Sequence, residues 1–140
     1  MADAGYPIIS TNLAKNKHAI GSWSYDCNLH DLLTDDNFRS SWVSNPVVKE
    51  PWVMVDLEGT SPVNTVAITD SGDDKLQNYT IDCRVDGEWK TVFSGNAPTD
   101  RRVKIHRFDP VYSDAVRLTV NKANGNVEIS ELGVYNEPAL

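Results

Sequence analysis

Apolar residues in this chain recur mostly at every second position, the spacing a strand needs to bury one face. Residues 77–85 are the clearest case: Tyr79, Ile81, Cys83 and Val85 alternate with Thr80, Asp82 and Arg84. Asp86-Gly87 follows, a dipeptide suited to a tight hairpin, and leads into Trp89, Val92 and Phe93. Residues 51–57 form a short apolar run that starts at a proline, and 62–69 alternate through Val63, Thr65/Val66 and Ile68. Further strands are expected at 101–108 (Val103, Ile105 and Arg107 on one side), at 114–121 (Val116, Leu118, Val120) and at 127–135 (Val127, Ile129, Leu132, Val134). Helical periodicity is nearly absent, with one helical turn expected at 29–34. Seven or eight strands punctuated by Gly, Pro, Asn and Asp predict an all-β fold, an antiparallel β-sandwich or jelly roll.

At 140 residues the chain reads as a single β-sandwich domain, 1–140, with a core of about 12–136 and short tails. Its formal net charge of −7 argues against duplex nucleic acid or an anionic membrane as the main partner. No apolar run approaches the roughly 18 residues of a membrane span, and the first residues show no signal-peptide pattern. A chain beginning after a removed signal would look the same. The two cysteines, Cys27 and Cys83, have no zinc-site spacing, and Cys83 is expected as a buried free thiol on an inward strand face.

Candidate chemistry concentrates in loops. Between Leu32 and Trp42 the chain carries Thr34, Asp35, Asp36, Asn37, Ser40 and Ser41, oxygen donors of the kind a hard cation such as Ca²⁺ prefers. The stretch is not an EF-hand, since it lacks the glycine and glutamate that motif requires. His18, His30 and His106 are scattered without a catalytic pattern, and His106 is expected to be exposed on its strand. Asp73-Asp74 reads as a solvated turn rather than an acid/base pair, so no enzymatic activity is expected. In a sandwich the loops of one end gather, so 22–31, 38–50, 70–76 and 121–126 should share one rim and form a shallow pocket. They offer Trp23, Tyr25, Asp26 and His30, then Arg39 and Asn45, then Asp70, Asp73, Asp74 and Lys75, and last Asn121 and Asn124. Aromatic planes and planar polar groups are what a sugar requires.

Six motifs in order resemble the coagulation factor V/VIII type C, or discoidin, family, with its carbohydrate-binding module family 32 and fucosidase-type modules. They are Asn12-Leu13-Ala14, Leu33-Thr34-Asp35-Asp36-Asn37 ending at Ser41-Trp42, and Trp52-Val53-Met54-Val55-Asp56-Leu57. They continue with Tyr79-Thr80-Ile81 leading to Asp86-Gly87-Glu88-Trp89, then Ala115-Val116-Arg117-Leu118, and Ile129-Ser130-Glu131-Leu132-Gly133-Val134-Tyr135. The resemblance implies a galactose-binding-domain-like jelly roll with a structural Ca²⁺. Its ligands would be the Leu32 carbonyl, Asp35, Asn37, Ser40, the Ser130 carbonyl and Glu131. The alternative is a metal-free turn in which Glu131 pairs with Arg39. The chain departs from the family at Asp36, where glycine is usual.

The resemblance also implies packing roles for Trp42, Trp52 and Trp89, whereas Trp23 stands where the family has small polar residues. Galactose-binding members carry an arginine in the loop matching 69–78, and none is present here, so that site does not transfer. The function implied is a non-catalytic, lectin-like carbohydrate-binding module that targets a glycan through rim loops. The ligand set is Trp23, Tyr25, His30, Arg39, Asp70, Asp74, Lys75 and Asn124. The alternative is a protein- or domain-interaction module without a sugar site. A glycan, and in some cases a parent glycosidase domain, would be the partner of a monomer in an extracellular or periplasmic setting.

Overall fold

Two long antiparallel strands form the frame, β3 (Trp52–Asp70) and β6 (Val103–Ala123). The computed structural model describes residues 10–22, 30–35, 41–45, 47–70, 75–98 and 103–138. The other elements are β1 (Ala19–Gly21), a 3₁₀ turn (His30–Leu33), β2 (Trp42–Val43), β4 (Leu76–Val85), β5 (Glu88–Asn96) and β7 (Glu128–Tyr135). The expected helical turn is this 3₁₀ turn. The expected hairpin joins β4 to β5, with Val85 opposite Glu88 and positive φ at both Asp86 (52°) and Gly87 (81°).

The β3–β6 ladder folds over on itself. Its register shifts between Asp56 and Ser61, and within that gap Glu58 and Gly59 take φ of 62° and 146°. On one side of the bend, β1 and β6 flank β3, and β4 and β5 extend the sheet from β6. On the other, β3 lies between β6 and β7, and β2 pairs with β7. These two antiparallel layers make the jelly-roll β-sandwich. Val53, Val55, Ile81 and Leu118 from one layer and Val66, Ile68, Ile129 and Leu132 from the other share a single buried cluster.

The phase of the first part of β6, 103–108, is opposite to expectation, whereas Val116, Leu118 and Val120 further along are buried as expected. Directly opposed residues of a ladder share a face; His106 lies opposite Val66 and Lys104 opposite Ile68, so both point inward. Lys104 is 4% exposed and His106 9%, while Val103 is 39% exposed. Partners make this burial tolerable. Lys104 Nζ lies 2.8 Å from Asp70 Oδ2, and His106 Nε2 shares a hydrogen bond with the Tyr79 hydroxyl. The His106 ring also packs on Phe93 at a centroid distance of 3.9 Å.

At the edge of the first layer, Gly21 meets a close backbone. A Cβ there would sit 2.4 Å from the Trp52 carbonyl oxygen and 2.9 Å from His30 Cδ2. Gly21→Ala is therefore expected to cost about 1–3 kcal/mol, because a backbone atom cannot move aside cheaply. Urea denaturation measures this; an unchanged midpoint would mean that β1 pulls away from β3 without penalty.

Candidate functional site

Hydrogen bonds between loops gather one end of the sandwich. Ser44 N donates to the Val127 carbonyl, and Val127 N donates back to Ser44 Oγ, each at 2.9 Å. Val120 N reaches the Pro51 carbonyl at 2.8 Å, Asn124 N the Lys75 carbonyl at 2.7 Å, and Ser22 N the Trp52 carbonyl at 2.9 Å. Of the loops expected to share a rim, 70–76 and 121–126 therefore meet through Lys75 and Asn124, and 38–50 faces 121–126 across a cleft; residues 23–29 of the first loop lie outside the described residues. That cleft, of ≈380 Å³, is lined among others by Asn45, Val48, Lys49, Asn121, Lys122 and Gly125. Asn45 Oδ1 accepts from Val47 N at 3.1 Å, which fixes the loop tip. Asn121 Nδ2 donates to Asn78 Oδ1 at 3.0 Å and to Thr80 Oγ1 at 2.9 Å.

The candidate ligand residues fare unequally. Asn124 is exposed on the rim, and Lys75 sits beside it with its Nζ 2.9 Å from Glu128 Oε2. His30 is half-buried, its Nε2 is 2.8 Å from the Ser22 carbonyl, and its ring lies 5.8 Å from that of Trp42. Asp70 is a correction: it is 3% exposed and turned inward onto Lys104, because its position on β3 shares the core face with Ile68. Trp23, Tyr25, Arg39 and Asp74 lie outside the described residues. Lys49 and Lys122 line the cleft and were not singled out from sequence, where a loop lysine looks like any solvated charge.

The acidic loop starts beside the last strand. The turn carrying Leu32 packs on β7, where Ser130 and Glu131 are 2% and 3% exposed. Ser41 Oγ and Ser130 Oγ are 3.1 Å apart, and Asn16 N donates to the Thr34 carbonyl at 2.6 Å. Asp35, half-buried, also lines a polar cleft of ≈330 Å³ with Asn16, Lys17, Asp31 and Glu58. Asn37 and Ser40 lie outside the described residues, and among the described residues no three His, Cys, Asp or Glu side chains cluster as a metal cage.

Of the three tryptophans assigned to packing, only Trp42 is buried, at 1% exposure. Trp52 and Trp89 are half-buried and line a third cleft, of ≈480 Å³, on the outer face of the five-stranded layer.

Residues 15–132 match the F5/8 type C domain. The chain belongs to that family. No curated protein sequence matches this F5/8 type C domain. Several solved structures resemble it. Chitosan-binding module 1, derived from the chitosanase/glucanase of Paenibacillus sp. IK-5, is 24% identical with a TM-score of 0.79, covering 90% of this chain and 99% of that one. The family 32 carbohydrate-binding module of C. perfringens NanJ, in complex with galactose, is 21% identical with a TM-score of 0.81, covering 91% and 100%. A Ruminococcus gnavus GH29 fucosidase in complex with fucose is 23% identical with a TM-score of 0.78; the match covers 91% of this chain and 27% of the fucosidase. These likenesses show the fold. No helix among the described residues is long and apolar enough to cross a membrane.

In this F5/8 type C domain Cys83 is a free, buried thiol, as its alternation predicts. Burial first, and then the Asp82 charge, push it up to about 11 against a hydrogen bond to Ser113 that lowers it. The unfolded thiol ionises from its ordinary value of 9.0, and the folded one only near 11. Above the first value the unfolded state binds fewer protons, so stability falls as pH rises through this window, by on the order of 2 kcal/mol in all. Cys83→Ala is expected to remove the loss between about pH 9 and 10; at higher pH Tyr79, raised by burial and by the Asp70 charge, adds its own. Denaturation midpoints followed across that range decide it, and an equal slope in the variant would assign the loss elsewhere.

Proposed function

We propose that this domain is a non-catalytic carbohydrate-binding module whose rim cleft takes a short glycan, with a structural Ca²⁺ tying the early loop to β7. The rim cleft carries the reading. It sets the amides of Asn45 and Asn121 and the amines of Lys49 and Lys122 around Val48, polar groups over a small apolar floor. That is the mixture a sugar's hydroxyls and C–H patches call for. The structural neighbours named for chitosan binding, or solved with galactose or fucose, support the same class of ligand. Affinity would be weak, since a wet, shallow site exchanges sugar–water contacts for protein contacts at little net gain.

For the cation, the Leu32 and Ser130 carbonyls and the Asp35 and Glu131 carboxylates would be the donors among the described residues. Glu131 is a carboxylate at 3% exposure on β7, the strand on which the turn bearing Leu32 packs, and carboxylate oxygens are what a hard cation favours. Asn37 and Ser40 would complete the set of oxygen ligands such an ion favours. An extracellular or periplasmic location and a monomeric state accord with this role.

Titration with galactose, fucose and glucosamine oligomers, followed by amide NMR, tests the reading. Amides of 44–51 and 121–126 are expected to shift with one of them. Lys49→Ala should weaken binding about tenfold, one charge-assisted hydrogen bond being lost. No response to any sugar, on these titrations or a broad glycan array, would leave the domain-interaction alternative.

A further inference from the structure

The outer face of the five-stranded layer differs from an ordinary solvated sheet surface. Ladder register sets its occupants in rows. Trp52, Thr119 and Thr80 stand opposite one another across β3, β6 and β4, with Ser94 next on β5. The adjoining row runs Met54, Arg117, Asp82 and Thr91, and beyond it Arg84 faces Trp89. Hydrogen bonds knit the polar members together. Thr80 Oγ1 and Ser94 Oγ are 3.0 Å apart, and Asn78 Nδ2 donates to Asn96 Oδ1 at 2.9 Å.

The charges here are already matched. Arg117 Nη2 is 2.9 Å from Asp82 Oδ2, and Arg84 Nε donates to Asp114 Oδ1 at 2.8 Å. The Arg117 guanidinium lies over the Trp89 ring, 4.2 Å from its centroid. The arginine thus fixes the indole and the aspartate cancels its charge. The remaining charge at the cleft is the exposed Glu50 carboxylate, which disfavours an anionic ligand. What is left open is a strip of half-buried aromatic, thioether and hydroxyl groups on rigid strands, around the ≈480 Å³ cleft.

We propose that this face is a second binding site, separate from the rim, for an extended neutral oligosaccharide. The C–H faces of successive sugar rings would lie on Trp52, Met54 and the open edge of Trp89. Their hydroxyls would meet Thr119, Thr80 and Ser94. Trp52 and Trp89 stand three strands across and four residues along the sheet from each other, roughly 19 Å between their backbones, which suits a chain and exceeds a single sugar ring. Because strands carry the site, it is preorganised.

The experiment is an NMR titration of the intact domain with cellohexaose and xylohexaose, read on the indole N–H signals of Trp52 and Trp89 and the amides of Thr80 and Thr119. These are expected to shift saturably with a hexasaccharide and not with glucose or xylose. Lys49→Ala, on the rim, should leave the shifts intact. Thr119→Lys, which fills the cleft beside Trp52, should weaken binding about five- to tenfold, and Trp52→Ala by at least as much. Should both variants fail to fold, the wild-type titration still decides. Indoles unmoved by every oligosaccharide, with rim amides responding, would overturn this site and leave the rim reading standing. Indoles that respond only to an added protein would make the face a protein-docking surface and likewise overturn it.

Discussion

Exchanging Lys104 for methionine is expected to lower stability by about 3–5 kcal/mol, a large share of what a domain of this size possesses. Its Nζ lies 2.8 Å from Asp70 Oδ2, and each side chain is only 5% exposed, so Asp70 would lose the ammonium that offsets its charge inside the sandwich. The loss would follow from the carboxylate left behind rather than from the worth of the pair. Asp70→Asn in the Lys104→Met background should therefore recover most of it. A urea-denaturation cycle over the two single variants and the double one measures this. If Lys104→Met cost less than about 1 kcal/mol, the pair would be solvated and the inward phase of β6 mistaken. The same pairing explains why Asp70 is not a rim ligand.

The strands were legible wherever alternation and turn chemistry agreed, as in β4 and its Asp86-Gly87 hairpin. Phase failed only in the first part of β6, because counting apolar residues as inward selects Val103 and Ile105. The residues that point in are Lys104 and His106, and the partners that make them tolerable, Asp70 and Tyr79, stand on other strands. No local pattern carries that information. Two pairs of expected strands, 51–57 with 62–69 and 101–108 with 114–121, are single long strands. The Glu58-Gly59 bend turns β3 without ending it, and a left-handed residue within a strand resembles a turn in sequence. β1 and β2, of 3 and 2 residues, are too short to show a period.

For the site, topology was easier to read than identity. The links from β2 to β3 and from β6 to β7 cross between the layers at one end and bring the rim loops together whatever their residues, so the cleft between 44–51 and 121–125 was foreseeable as a place. Which side chains line it depends on loop conformation, and Lys49 and Lys122 carry no signal that separates them from solvated lysines. Trp52 and Trp89 show the converse error. Tryptophan in a strand suggests the core, yet both occupy the outward phase of β3 and β5, where a sheet can also hold a flat ligand.

Removing divalent cations is expected to lower the melting temperature by about 10 °C, if Ca²⁺ is supplied at roughly 100 times its dissociation constant. At that excess a ligand bound only to the folded state contributes about 2.7 kcal/mol, and a domain of this size melts a few degrees lower for each kcal/mol lost. The ion would act across the chain, since the turn bearing Leu32 packs on β7 beside Ser130 and Glu131. Closing that long loop would constrain the unfolded state. Asp35→Ala should abolish the Ca²⁺-dependent part of the melting temperature. Mg²⁺ should substitute poorly, because it requires a tighter octahedral shell than a loop of carbonyls supplies. Melting curves with EDTA, CaCl₂ and MgCl₂ measure all three effects. Superimposable curves would remove the cation and favour the metal-free alternative, in which Glu131 pairs with Arg39. In that case Arg39→Ala would destabilise the domain, and the loss would shrink in a Glu131→Gln background, where no buried carboxylate remains to be balanced.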